Sequence, residues 1–220
     1  MTGRTDGGAM RHFGLYPAIV TDIVDPDQLG RIEVKFPWLG TDGSNDVRSW
    51  ATLLSPYADD DQGFEILPSV DTQVVVGFEG GELRRPYIVG AAWNGREALP
   101  EAASAANDKR LIKSRAGSLL EFDDTSGAVK VTVSTKNGHT LVLDDGAQQV
   151  VLTHANGCTL TMDAAGEVQI RANASVEVTA PTVNVHAATA NFDGIINCTT
   201  VICSVGVVSP SYTPGAGNVW

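Results

Sequence analysis

Several features that are common in membrane and secreted proteins are missing from this 220-residue chain. It has no run of about 18 apolar residues, which a membrane-spanning helix requires, and its first residues lack the basic-then-apolar pattern of a secretion signal. The three cysteines, Cys158, Cys198 and Cys203, show no C-x-x-C spacing, so they predict neither a disulfide framework nor a zinc site. We expect a protein made in the cytoplasm, with its cysteines buried as small apolar residues.

The sequence also lacks the common motifs of catalysis and nucleotide binding. It contains no Gly-x-Ser-x-Gly elbow, no P-loop and no dinucleotide fingerprint. Its formal net charge is −11, from 15 Lys and Arg against 26 Asp and Glu, and a surface of that sign repels a phosphate backbone. We therefore predict that the protein is not an enzyme, carries no cofactor and binds no nucleic acid.

Two groups of acidic residues resemble cation sites, but the pattern favours a simpler interpretation of each. The run 59–61 is three consecutive aspartates, which fits a solvated loop better than a calcium or acid/base cluster. Asp123, Asp144 and Asp163 recur at intervals near 20 residues, whereas calcium-bound solenoids use Gly-Gly-x-Gly-x-Asp nonapeptides. We expect the three repeated aspartates to form turns.

His139 and His154 lie in or beside predicted strands without a carboxylate or cysteine at ligand spacing. Surface or core positions are the usual environment of such histidines. One metal-binding alternative stays open, in which a three-fold axis brings three copies of one histidine together. The sequence itself predicts no metal site.

The first half of the chain reads as strands separated by turns. Five segments rich in β-branched and aromatic residues occur between residues 15 and 92, with Gly, Asp and Pro between them. Five strands of this length suit a small closed barrel of the OB-fold type. We predict a flexible N-terminal arm at 1–13, the barrel at 14–96 and a polar, Ala-rich linker at 97–112.

The second half repeats a short pattern. Gly117, Gly138 and Gly157 are each followed by apolar residues at positions +3 and +5 and by an aspartate at +6. A second strand follows each of these units, and pairs of apolar residues at i and i+2 continue to about residue 198. The spacing between pairs falls toward the C-terminus, which predicts a tapering β-helical spike over 113–208 and a tip segment over 209–220.

The predicted strands alternate with a period of two and bury only one face each, so a single chain cannot enclose their core. Three chains wound about one axis solve this problem, because the apolar pairs then meet on the axis and strands of different chains pair. We predict an intertwined homotrimer. Its predicted core consists of Leu120, Phe122, Leu141, Leu143, Leu160, Met162, Val176, Val178, Val183 and Val185.

Two stretches of the chain resemble the spike family of contractile tails, the phage baseplate assembly protein V type and the corresponding part of VgrG proteins. The first is the barrel pattern with Gly14 to Val20, Gly30-Arg31 to Pro37 and Trp50-Ala51, and the second is the segment Arg115 to Gly127. The resemblance implies an all-β chain with an N-terminal OB-fold barrel and a C-terminal trimeric β-helix.

The resemblance further implies a structural spike that links the hub and tube to the tip and pierces a target envelope on sheath contraction. The implied partners are a hub protein of the baseplate, a PAAR-type tip protein and, transiently, the target membrane; the implied location is a phage tail-like particle. The C-terminal segment is either a free tail or the contact for the tip protein, formed by Tyr212, Pro214 and Trp220. The resemblance favours the contact, because the clustered histidines that hold iron at the apex in some members are absent.

A β-solenoid tail fibre or polysaccharide-degrading enzyme is the alternative interpretation. Such an enzyme requires paired carboxylates in a groove lined by aromatic residues, and only 6% of this chain is aromatic. An OB-fold protein that binds nucleic acid is a further rival, which the negative charge disfavours.

Overall fold

The computed structural model describes residues 4–6, 9–40 and 46–210. These residues form strands, turns and two short 3-10 helices, so the predicted all-β class is confirmed. The chain divides into two units, Met1–Arg171 and Ala172–Trp220. None of the helices in the described ranges has the length and hydropathy needed to cross a bilayer.

The first unit begins with a short hairpin and a five-stranded barrel. The strands are β1 (Arg4–Asp6), β2 (Ala9–Arg11), β3 (Tyr16–Asp22), β4 (Arg31–Lys35), β5 (Arg48–Leu53), β6 (Ala58–Asp59), β7 (Gln62–Gly63), β8 (Gln73–Phe78) and β9 (Pro86–Ala91). The barrel has the strand order β3-β4-β5-β9-β8 and is closed by pairing of β3 with β8. The five strands predicted between residues 15 and 92 are therefore confirmed.

The barrel encloses its core because alternate residues of each strand point inward. Val20 and Val34 are fully buried, and their neighbours along the strands are more exposed. Burying one such side chain contributes about 1.5–3 kcal/mol relative to leaving it exposed. The core consists of Tyr16, Ala18, Val20, Ile32, Val34, Phe36, Ala51, Val74, Val76 and Ile88.

The loop between β3 and β4 is organised by one buried carboxylate. Asp25 accepts hydrogen bonds from Arg31 Nε at 2.9 Å and Arg31 Nη2 at 2.8 Å, and from the backbone amides of Asp27 and Leu29. The pKa of Asp25 lies well below its usual range, and the hydrogen bond from the Arg31 side chain is the largest cause. This pair fixes the loop to the start of β4.

The turn before β8 uses aspartate where a glycine is common. Asp71 adopts the left-handed conformation with φ of 69°, which aspartate tolerates better than most residues. Its backbone amide donates to the carbonyl of Val20 at 2.9 Å, which ties the turn to β3.

The N-terminal arm and the linker differ from the sequence prediction. The described part of the predicted flexible arm contains the β1–β2 hairpin, and Arg11 and His12 donate hydrogen bonds to the carbonyls of Gly80 and Gly81. At the other end, a strand begins at Lys109, inside the segment 97–112 that we predicted to be a linker. Charged side chains at the ends of that strand obscured its apolar centre.

The rest of the first unit is a seven-stranded antiparallel meander. Its strands are β10 (Lys109–Lys113), β11 (Leu119–Asp123), β12 (Lys130–Ser134), β13 (Thr140–Asp144), β14 (Gln149–Thr153), β15 (Thr159–Met162) and β16 (Val168–Arg171). Each strand pairs with the next one along the chain. The sequence predicts that these strands pair with strands of other chains. That prediction is wrong for β10 to β16, because tight hairpin turns allow each strand to pair within its own chain.

The second unit shows no strand between residues 172 and 210, its described part. The apolar pairs of the prediction, including Val176 with Val178 and Val183 with Val185, are exposed in the single chain. Cys198 and Cys203 are exposed and Cys158 is half-buried, so burial of the cysteines is wrong for the isolated chain.

Candidate trimerisation surface

One face of the seven-stranded sheet, here called the apolar face, carries two uninterrupted rows of apolar side chains. Residues that pair across strands share a face, so the register of the six hairpins defines both rows. The first row consists of Ile112, Leu120, Val133, Leu141, Leu152, Leu160 and Ile170. The second row consists of Phe122, Val131, Leu143, Val150, Met162 and Val168.

The apolar face is open to solvent in the single chain. Leu143 is 43% exposed, Leu152 49% and Ile170 64%, whereas no residue of the barrel core exceeds 8%. Contiguous apolar surface of this extent marks an interaction site in soluble proteins. The opposite face of the same strands carries mostly Thr, Ser, Gln and charged residues, so only one face requires cover.

Glycines make the turns that align the rows. Gly117, Gly138 and Gly157 have φ between 90° and 94°, a left-handed conformation that favours glycine. The amide of each glycine donates a hydrogen bond to the carbonyl of the residue three positions earlier, as from the Gly138 amide to the Thr135 carbonyl at 3.0 Å. The repeated glycine of the sequence pattern therefore marks the hairpin turn.

The repeated aspartates also form turns, as the sequence predicted. Asp123 Oδ1 accepts from the Thr125 hydroxyl and amide, and Asp163 Oδ1 accepts from the amides of Ala165 and Glu167. Asp144 Oδ1 accepts from the Ala147 amide at 2.7 Å. The hydrogen bonds from Thr125, with the nearby Lys130 ammonium, lower the pKa of Asp123. These side chains are occupied with turn formation.

His139 and His154 lie at hairpin turns beside the apolar face, and their ring centroids are 4.3 Å apart. Within the ranges that the structure describes, no three His, Cys, Asp or Glu side chains come together in a geometry that could hold a metal ion. Asp59, Asp60 and Asp61 are exposed at the β6–β7 hairpin, in agreement with a solvated loop.

The structure brings together six of the predicted trimer-core residues. All six lie on the apolar face, and they are Leu120, Phe122, Leu141, Leu143, Leu160 and Met162. Their role in a trimer stays a prediction, as does that of the four valines in the second unit. Tyr212, Pro214 and Trp220, the predicted tip contact, lie outside the described residues.

Sequence reasoning missed several members of the apolar face. The sequence pattern places Val133, Leu152 and Ile170 in the second strands of the repeat, outside the predicted core, and it places Ile112 in the linker. The i, i+2 apolar pairs of the second strands were the available signal. In a meander, these pairs lie directly opposite the pairs of the first strands, and so both belong to the same face.

Comparisons with known proteins agree with both parts of the first unit. Residues 16–93 match the family described as the type VI secretion system/phage-baseplate injector OB domain. Residues 130–190 match the phage baseplate V C-terminal trimerisation domain. The chain belongs to the baseplate V/VgrG-type family. The trimerisation match includes most of the apolar face and part of the second unit, and it supports homotrimer formation by this family member.

Curated relatives of this baseplate V/VgrG-type chain include spike proteins of type VI secretion systems. VgrG1a of Pseudomonas aeruginosa is 28% identical over 134 residues, which cover 56% of this chain and 21% of the relative. VgrG3 of Vibrio cholerae is 25% identical over 131 residues, which cover 57% of this chain and 13% of the relative. This chain therefore spans only a small part of these relatives.

Proposed function

We propose that this protein is the structural spike of a contractile injection machine, and that its work is mechanical. The observation that carries the proposal is the exposed apolar face, which lies in the segment matched by a trimerisation domain. Three copies that turn this face toward a common axis bury thirteen apolar side chains each, counted from the two rows. The result is a prism with a dry core.

The second unit, considered by itself, also requires other copies. Its apolar i, i+2 pairs have no partners for their backbone groups in a single chain, whereas strands from two other copies satisfy these groups. We infer that residues 172–208 of the three copies wind around a common axis. A rod in which no chain can separate alone suits an element that is loaded along its axis.

The proposed place of this trimer is between a hub protein of the baseplate and a tip protein of the PAAR type. The barrel faces the hub, and the C-terminal segment with Tyr212, Pro214 and Trp220 contacts the tip protein. On sheath contraction the spike crosses the target envelope. The low content of charged residues in 172–220, where Glu177 and Asp193 are the only Asp, Glu, Lys or Arg in the sequence, supports brief contact with a bilayer, where charged side chains are costly.

The first test is the oligomeric state of the full chain. Light scattering should give three times the 23.1 kDa mass of one chain, and electron microscopy of the native assembly should show a spike at the end of a tail-like particle. A monomer at micromolar concentration contradicts the trimer. A trimer that never associates with a tail-like particle contradicts the spike function while leaving the trimer intact.

The tip contact has its own test. Deletion of residues 210–220 should abolish pull-down of a PAAR-type protein and leave the trimer intact. Unchanged retention of the PAAR-type protein means that the segment is a tail with no docking role. We propose no enzymatic activity, and assays for turnover on peptidoglycan and polysaccharide address that alternative directly.

A further inference from the structure

The hairpin turns of the seven-stranded sheet lie on two long edges. Because the sheet is a meander, alternate turns fall on the same edge. The turns at 114–118, 135–139 and 154–158 form one edge, which we call the basic edge. The turns at 124–129, 145–148 and 163–167 form the other, which we call the acidic edge.

The basic edge has cationic side chains and no carboxylate. Arg115 and Lys136 lie in its turns, and Lys113 and Arg171 lie at the adjoining strand ends. Neighbouring turns contact each other along the edge, since Lys136 Cβ lies 3.9 Å from the position that a Cβ on Gly117 would take. The rings of His139 and His154, tilted by 55° to each other, also lie on this edge.

The acidic edge has an excess of carboxylates. Its cations are already paired within the chain, as Arg110 is with Asp124 at 2.7 Å and Lys130 with Asp123 at 3.8 Å. Lys109 lies 3.7 Å from Glu121, and that carboxylate is the largest cause of a raised pKa of Lys109.

The remaining charges of the two edges have no counter-ion among the described residues of their own chain. Among the residues that the structure describes, Asp144, Asp145, Asp163 and Glu167 on the acidic edge form no ion pair. The same holds, within the described ranges, for Lys113, Arg115 and Lys136 on the basic edge. Strands of five residues separate the edges by about 16 Å, so these charges cannot pair within one sheet.

We propose that the basic edge of each copy docks against the acidic edge of the next copy, so that the two edges close a three-fold ring. This inference rests on the proposed homotrimer. When three copies turn their apolar faces toward one axis, with their strands running across it, rotation brings one edge of each copy beside the opposite edge of its neighbour. Opposite charge on the two edges favours that head-to-tail contact and disfavours contact between two like edges.

Strand order identifies one pair in particular. The turn with Lys136 lies between β12 and β13, so its level falls between the acidic turns at 124–129 and 145–148. Asp124 in the first of these turns is already paired with Arg110, whereas Asp145 in the second is exposed and has no counter-ion in the described part of its chain. Lys136 therefore meets Asp145 of the neighbouring copy.

A charge-swap experiment on the full chain tests this pair. Lys136→Glu and Asp145→Lys should each raise the trimer dissociation constant about tenfold, since three equal contacts are lost per trimer and like charges replace them. The double variant should restore the wild-type value. Dissociation is followed by light scattering across a urea series, at about 0.1 M and about 1 M NaCl, where the Debye length falls from about 10 Å to about 3 Å.

Arg84→Glu is the matched control for Lys136→Glu, because it makes the same charge change at an exposed position of the barrel. It should leave dissociation unchanged. High salt should reduce the difference between each edge variant and the wild type.

Two results overturn the inference while the wild type is a trimer: single variants that behave like the control, or a double variant whose loss equals the sum of the single losses. The second result would mean that Lys136 and Asp145 do not face each other. A wild type that is monomeric contradicts the proposed homotrimer itself.

Discussion

The barrel and the seven-stranded sheet use the same alternation of apolar and polar residues but complete their cores differently. In the barrel, β3 pairs with β8 and the inward side chains are enclosed, with Val20 and Val74 fully buried. In the sheet, β10 and β16 are the edges of an open meander, and residues such as Leu152 remain about half exposed. A closed sheet satisfies its apolar face within one chain, whereas an open one needs other copies.

The strongest test of this comparison separates the two regions. A chain that ends at residue 108 should fold as a monomeric barrel, because all ten core residues lie between Tyr16 and Ile88. Far-UV circular dichroism and light scattering check folding and mass. A tight trimer of this fragment would show that the barrel also holds the copies together.

Leu143→Asp should prevent assembly of the full chain. Leu143 lies in the second row of the apolar face, so a trimer would bury three carboxylates near one axis, at a cost of several kcal/mol per ion. Val142→Asp is the matched control, because Val142 is next to Leu143 in the same strand and its side chain lies on the opposite face of the sheet. Size-exclusion chromatography distinguishes the two; loss of the trimer only in Val142→Asp would reverse the assignment of the faces.

The corresponding test in the second unit is Val178→Asp, which should also block assembly if these valines face the axis, whereas Glu177→Ala, one residue out of phase, should be tolerated. Chromatography of both variants checks this. Assembly of the valine variant together with failure of the glutamate variant would show that the opposite phase faces inward.

Phe36→Ala should destabilise the barrel by about 3–5 kcal/mol, because Phe36 is 1% exposed and packs against Phe78 and Trp38. Phe13→Ala, at an exposed phenylalanine, should change stability by less than about 0.5 kcal/mol. Urea unfolding of the barrel fragment measures both. Equal effects would contradict the assignment of the core.

Gly146→Ala should destabilise the sheet by about 1–3 kcal/mol. A Cβ at this position would lie 2.7 Å from the Gly127 carbonyl oxygen and 2.9 Å from Ala128 Cα, so backbone must move. Gly90→Ala is the control, since a Cβ there meets nothing within 4 Å. Thermal unfolding of the full chain compares them, and an unperturbed Gly146→Ala variant would show that the two turns are farther apart.

Asp25→Asn should lower the stability of the barrel at neutral pH. The pKa of Asp25 is depressed in the folded state by Arg31, so its contribution is present above the ordinary aspartate pKa of about 3.9 and is lost as the pH falls below it. The difference between wild type and variant should therefore narrow in acid. Asp27→Asn, at the exposed partner of the same arginine, should lower the stability less. A stability difference between wild type and Asp25→Asn that does not change with pH would contradict the ionic role of Asp25.

The strand pattern was sufficient to predict much of the fold. The turn residues between 15 and 92 separate five strands that the structure confirms as a closed barrel, and the repeated Gly117, Gly138 and Gly157 mark real hairpin turns. Local signals succeeded here because turn conformation and strand alternation depend on nearby residues.

The prediction failed where pairing partners had to be chosen. The apolar period of two is the same whether a strand pairs with its neighbour in the chain or with another copy, so the sequence could not distinguish the meander at 109–171 from an interchain ladder. The strand β10 was also missed. Lys109 and Lys113 lie at its ends, and one of its two positions on the apolar face is the charged Arg110.

By itself, the amino-acid sequence determined the all-β class, the five strands of the barrel and the residues of the apolar pairs. Only the tertiary structure decided that β10 to β16 pair within one chain, that their apolar residues form two rows on one open face, and that the turns form edges of opposite charge. The physical reason is that register and strand order arise from contacts between distant residues. Those contacts align Lys136 and Asp145 on opposite edges, whereas their spacing along the chain reveals nothing of this arrangement.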